Sequence, residues 1–166
     1  KSQLMRENLR LFVLLVGLVS ACSAGAQYAE KDWPHYHGDL TASHYSRLEQ
    51  IDKKNVSQLE LAWTYHSSQA PVDKRSEIQC NPLIINGVMY GVSPDGFFFA
   101  VNAATGAEIW RYDFYAGQDG RRRAGRVRGL AYWSDGNESR LLVAMAHRLQ
   151  AIDPGTGEMI KSFGDD

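Results

Sequence analysis

Arginine recurs at Arg121, Arg122, Arg123, Arg126 and Arg128. A guanidinium is always charged and presents two parallel donors, so any of these side chains could grip a carboxylate or a carbonyl. Read alone, the run is a solvated loop. Gln79 carries an amide that donates and accepts at once, which suits a ligand bearing carboxylates and carbonyls. Read alone, it is a polar residue at a loop edge. His35, His37 and His44 have metal-ligand chemistry, but no other ligand cluster lies near them in the sequence and they read as exposed histidines. His147 and Asp113 belong to no motif and read as surface or turn residues. The sequence holds no C-x-x-C, C-x-x-C-H or H-E-x-x-H spacing. Its net charge of −1, and an arginine run without interleaved aromatics, argue against nucleic acid as a partner.

These residues need elements to hold them, and the clearest is Phe97–Trp110. Aromatic and β-branched residues favour a pleated, half-buried surface, and here they lead into a polar turn. Asn102 can bond its own backbone two residues on, and Gly106 tolerates positive φ. The segment is therefore predicted to be a β-hairpin with a loop of four or five residues. It recurs at Gln150–Lys161, with Ala100, Asn102, Thr105 and Gly106 falling on Ala151, Asp153, Thr156 and Gly157, and Glu108 matched one place early by Glu158. Thr105 and Thr156 are 51 residues apart. A strand-built period of about 40–50 residues points to propeller blades.

Around the first copy, four short strands are predicted at Leu83–Ile85, Val88–Val92, Phe97–Val101 and Glu108–Tyr112. Asn86-Gly87 between apolar runs is the strongest short hairpin signal, since both residues tolerate positive φ. The second unit reads Gly129–Trp133, Arg140–Ala146 and Arg148–Ile152. It lacks the terminal tryptophan, and Phe163 is a candidate substitute. Leu61–Tyr65 is strand-like. Asp32–Asp39, with its Pro and Gly, is a loop or edge segment. The expected architecture is all-β, with about two blades present. A closed ring needs at least about four blades, so the 166 residues are expected to be the N-terminal part of a longer protein.

Residues 1–26 have the layout of a secretory signal peptide. Met5 is a plausible initiator, Arg6 and Arg10 form a basic start, Leu11–Val19 is apolar and too short to span a bilayer unaided, and small residues follow. Two processing sites compete. Ala24-Gly25-Ala26 would leave Gln27 as the mature start. Val19-Ser20-Ala21-Cys22 resembles a bacterial lipobox, in which an acylated Cys22 would tether the protein to a membrane. Either cut removes Lys1, Arg6, Arg10 and Glu7, leaving 15 basic and 18 acidic side chains, net −3. With Cys22 removed or acylated, Cys80 has no disulfide partner and reads as a small buried hydrophobe.

The motif Ala100–Trp110 resembles the tryptophan-docking repeat of quinoproteins that bind pyrroloquinoline quinone (PQQ), with Asn102 in place of the usual Asp. The segments Trp33–Asp39, Tyr45–Ile51, Asn55–Leu59, Ala62–Tyr65 and Pro82–Tyr90 are similar to that family's in the same order. The resemblance implies an eight-bladed propeller with four-stranded blades, PQQ across the axis, and a calcium or similar cation beside it. It implies oxidation of an alcohol or aldose hydroxyl, with a respiratory quinone or cytochrome as electron acceptor, while the leader implies a periplasmic, secreted or membrane-anchored location. Gln79, three residues before Pro82, and Arg128, in Arg128–Trp133, match cofactor-binding positions. The catalytic base and cation ligands come from later blades, and none is assigned here. Arg122 and Arg123 stand where several alcohol-oxidising members carry adjacent cysteines joined as a disulfide. That departure, together with Ser76–Cys80 and Ser162–Asp165, leans towards the sugar-oxidising branch. The competing reading is a non-catalytic docking-repeat lipoprotein serving as an envelope assembly scaffold.

Overall fold

The computed structural model describes residues 31–68, 77–116, 127–145 and 147–164. The leader, Cys22 and Arg121–Arg126 lie outside the described residues. Two antiparallel sheets make up the fold. The first contains β1 (Leu83–Ile85), β2 (Val88–Val92), β3 (Phe97–Asn102) and β4 (Glu108–Asp113) in the order β1-β2-β3-β4. The second contains β5 (Ala131–Ser134), β6 (Ser139–Met145) and β7 (Arg148–Ile152), again in chain order. Each is a meander, as expected of a blade.

The turns form for the reasons their residues suggest. Asn86 (φ 51°) and Gly87 (φ 79°) both take positive φ, so β1 and β2 join through a tight turn whose twist matches the strands. In the docking turn, Asn102 Oδ1 accepts from the N–H groups of Ala104 (2.9 Å) and Thr105 (3.1 Å), while Gly106 N–H donates to Asn102 O at 2.8 Å. Asp153 repeats this on Gly155 (2.8 Å) and Thr156 (2.9 Å), with Gly157 N–H donating to Asp153 O at 2.8 Å. Either side chain supplies the one acceptor oxygen the turn needs, which explains why Asn can stand for Asp. Asn102 N–H donates to Ala107 O and Asp153 N–H to Glu158 O. Glu158 is therefore the structural partner of Ala107, and the match to Glu108 does not hold.

Two sequence expectations are corrected. Leu61–Tyr65 forms no strand: among the described residues no ladder pairs with it. Instead it lies against the first sheet, and Trp63 packs on Gly106, where an added Cβ would come within 2.6 Å of the ring. Gly129 and Leu130 also fall outside β5, because Gly129 bridges Asn81 of the neighbouring unit rather than β6.

One core runs between the sheets. It joins Leu83, Ile85, Tyr90, Val92, Phe98, Ala100, Trp110 and Phe114 to Val127, Leu130, Leu141, Val143, Met145 and Ile152. Phe98 stacks on Tyr112 and meets Phe114 at a tilt. The other face of β3 is buried as well, since Phe97, Phe99 and Val101 are all inaccessible. There Tyr65 packs on Phe99, and Phe99 itself covers Gly91, where a Cβ would come within 2.5 Å of its ring. Coverage on both faces explains why β3 is an unbroken apolar run rather than an alternating one.

Candidate functional site

The two sheets meet in two different ways. At the start of each, backbone touches backbone: Asn81 N–H donates to Arg128 O at 3.0 Å, and Asn81 and Gly129 form a parallel bridge. At the far side, the Trp110 indole is interposed between β4 and the turn after β7, with Nε1–H donating to Pro154 O at 2.8 Å. The sheets are thus close at β1 and β5 and spread at β4. This wedge is what adjacent blades need around a common axis, and it puts the axis on the side where β1 and β5 begin.

Both sequence-predicted site residues fall on that side. Gln79 lies two residues before the bridging Asn81, and Arg128 supplies the carbonyl that Asn81 binds. Residues 49 apart in sequence are thereby brought onto adjacent chain segments. The Arg128 side chain is exposed, and among the described residues it has no hydrogen-bond or ion-pair partner. Gln79 Nε2 donates to Glu77 Oε1 at 2.6 Å. Gln79 Oε1 is buried and accepts no hydrogen bond among the described residues. A buried acceptor without a donor costs about 1–3 kcal/mol, and Gln150 Oε1 is in the same state in the second sheet, so it is the position of Gln79 at the narrow edge that sets its oxygen apart.

Tyr36 completes the arrangement. Its carbonyl accepts from Asn81 Nδ2 at 3.4 Å, and its ring lies against Gly129, where a Cβ would come within 2.6 Å of Cδ2. Sequence reasoning gave Tyr36 only a place in a motif and missed Asn81. No local signal marks Asn81, because its role exists only once the two units are side by side. Trp63 had a signal that went unused: it precedes Trp110 by 47 residues, near the repeat period.

The remaining chemical groups lie elsewhere. Cys80 is half-buried, and burial pushes its thiol up from the ordinary range. It lines a cleft of about 220 Å³ with Trp63, Tyr65, Ile78, Met89 and Phe99. The His37 and His44 rings lie 4.0 Å apart, and among the described residues no three His, Cys, Asp or Glu side chains gather as a metal site would require. Asp113 accepts from Tyr115 N–H in a turn, and His147 is an exposed turn residue. Phe163 is half-buried beyond the second turn.

A wedge of docking-repeat sheets defines a partial β-propeller, and Gln79 and Arg128 lie at its narrow edge. The family model described as the PQQ glucose/ethanol/alcohol dehydrogenase β-propeller domain matches residues 33–166, and the chain belongs to that family. It is similar to the quinohemoprotein alcohol dehydrogenase ADH-IIG of Pseudomonas putida, at 36% identity over 121 residues, which is 69% of this chain and 15% of that protein. The dehydrogenase subunit of the quinone alcohol dehydrogenase of Gluconobacter oxydans is 35% identical over 134 residues, covering 79% of this chain and 17% of its own. The crystal structure of quinohemoprotein alcohol dehydrogenase from Comamonas testosteroni superposes with a TM-score of 0.63 at 31% identity, over 81% of this chain and 20% of that one. The chain spans a fifth or less of the length of these relatives.

Proposed function

We propose that the chain is the opening part of a PQQ-dependent dehydrogenase that oxidises an alcohol or aldose hydroxyl. The observation that carries this reading is the placement of Gln79 and Arg128 on adjacent chain segments at the narrow edge of the wedge, where among the described residues the Gln79 Oε1 acceptor has no donor and the Arg128 guanidinium no partner. Both fit PQQ. The cofactor carries carboxylates, which a guanidinium pairs with through two charge-assisted hydrogen bonds, and a ring N–H, which an amide oxygen can accept. When bound, PQQ supplies a two-electron acceptor for the hydroxyl-bearing carbon.

This chain's part in the reaction is to bind and orient. Arg128 offsets the cofactor's negative charge, Gln79 fixes its rotation, and the Asn81–Arg128 hydrogen bond sets the two side chains relative to each other. We assign the catalytic base and the calcium that would polarise the acceptor to later blades. The reading further places the protein in the bacterial envelope, periplasmic or tethered through Cys22, with a respiratory quinone or cytochrome taking the electrons. The basic, apolar and small-residue succession of residues 1–26 supports export.

The test is reconstitution of the full-length protein with PQQ and calcium, followed by dye reduction with primary alcohols and with aldoses. Cofactor-dependent turnover on either class is expected, and the preferred class reads out the substrate. Failure of the intact protein to bind PQQ overturns the proposal.

A further inference from the structure

We propose that Tyr36 and Asn81 are positioning residues for Arg128, acting through a clasp whose hinge requires Gly129. The inference rests on the cofactor role given to Arg128 above. It starts from a difficulty: Arg128 is exposed, its guanidinium has no partner among the described residues, and yet its place in the site depends on where its backbone is held.

Three contacts hold it. Asn81 N–H donates to Arg128 O at 3.0 Å, fixing the peptide that follows Arg128. Asn81 Nδ2 donates to Tyr36 O at 3.4 Å, so the same residue ties in the chain leading from the first edge segment. The Tyr36 ring then closes on Gly129, with room for a hydrogen but not a methyl: a Cβ there would come within 2.6 Å of Cδ2 and 3.1 Å of Cε2. Gly129 does not adopt positive φ, so close approach alone demands glycine here. Tyr36 is itself held, since Trp33 three residues earlier exchanges backbone hydrogen bonds with Ile84 of β1 (Trp33 N–H to Ile84 O 2.7 Å, Ile84 N–H to Trp33 O 3.0 Å). The result is a closed circuit from β1 through Trp33, Tyr36, Gly129 and Asn81 back to β1, with Arg128 at its exit.

A side chain on a fixed backbone loses less freedom on binding than one on a wandering loop. The clasp therefore predicts an effect on cofactor affinity that passes through Arg128. The test is a double-mutant cycle on the full-length apoprotein, titrated with PQQ and calcium and followed by tryptophan fluorescence, with a thermal melt of each variant. Gly129→Ala should weaken PQQ binding by about tenfold, as expected for coupled neighbours. Arg128→Ala should weaken it at least as much. The double variant should bind no worse than Arg128→Ala alone, because nothing is left to position. Tyr36→Phe should bind like the parent, as the ring makes the contact, whereas Tyr36→Leu should behave like Gly129→Ala.

Additive losses in the double variant would overturn the proposal, as would a Tyr36→Leu protein with a lower melting temperature and unchanged affinity. Where Gly129→Ala fails to fold, the cycle of Tyr36→Leu with Arg128→Ala carries the same decision. A parent protein that does not bind PQQ overturns the function proposed above along with this inference; a parent that binds, with additive variants, overturns this inference alone.

Discussion

The Trp110 ring covers Gly157 as the Trp63 ring covers Gly106: a Cβ added at either glycine would meet the same three ring atoms, Cγ, Cδ2 and Cε3, at nearly the same distances. Trp110 adds a hydrogen bond from Nε1–H to Pro154 O. Each glycine also adopts positive φ, 76° at Gly157 and 71° at Gly106. Replacing Trp110 with Ala should therefore cost about 3–5 kcal/mol, the usual range for losing a large buried aromatic. Trp110→Phe should cost less but leave the Pro154 carbonyl unpaired, a loss of about 1–3 kcal/mol. Chemical denaturation of the full-length protein measures both, and a Trp110→Phe variant as unstable as Trp110→Ala would show that the hydrogen bond dominates over the packing.

The equivalence of Trp63 and Trp110 explains what was legible in the sequence and what was not. Strand positions came from short-range patterns: the turn of Asn86-Gly87, the acceptor at Asn102 and Asp153, and the apolar runs between them. Those are local, and the structure keeps β1, β2 and β7 at their predicted limits. Leu61–Tyr65 has the same local character but no ladder partner among the described residues, so propensity alone could not decide its state. Gln79 and Arg128 were legible only through the family motif. The Asn81–Arg128 hydrogen bond that unites them spans two repeats, and single-repeat patterns carry no trace of such a contact.

The docking turns predict a graded response at Asn102. Its Oδ1 accepts two backbone hydrogen bonds, and Asp153 does the same at the second turn. Asn102→Asp should be close to neutral at pH 7, while Asn102→Ala should cost about 1 kcal/mol by analogy with the loss of a capping side chain. Equilibrium unfolding of both variants provides the check. Equal destabilisation by Asp and Ala would mean that the amide N–H₂ matters and the acceptor reading is wrong.

Tyr65, Glu108 and Arg111 form a latch that fastens the Trp63 segment to β4. Tyr65 Oη donates to Glu108 Oε2 at 2.5 Å, and Arg111 Nη2 reaches Tyr65 Oη (2.7 Å), Glu108 Oε2 (2.8 Å) and His66 O (3.1 Å). The Tyr65 hydrogen bond, with help from Arg111, holds the Glu108 carboxyl below its ordinary value. Burial, reinforced by Glu108, pushes the Tyr65 phenol up to about 12. The signs fix the pH window. A depressed carboxyl contributes stability above its unfolded value near 4.5 and loses it as pH falls through the lower folded value. A raised phenol contributes stability below its unfolded value of 10 and loses it as pH rises towards 12. The latch should hold between those limits and loosen outside them. Tyr65→Phe should flatten both limbs of a stability-versus-pH profile, and an unchanged profile would remove the latch from the account.

Gln79 separates stability from binding. Its Oε1 is buried without a donor among the described residues, which is a standing cost in the absence of ligand. Gln79→Met keeps most of the side-chain volume and removes the orphaned acceptor, although it also gives up the 2.6 Å hydrogen bond to Glu77, an exposed residue that water can satisfy. The apoprotein should therefore melt at the same temperature or higher, while PQQ affinity falls by about tenfold for one lost buried hydrogen bond. Sites that store an unmet polar group for a ligand show this opposition between stability and function. A structural glutamine would do the reverse: the variant would melt lower and bind PQQ as before. Melting curves of the full-length apoprotein, paired with cofactor titration of the same preparations, distinguish the two outcomes directly.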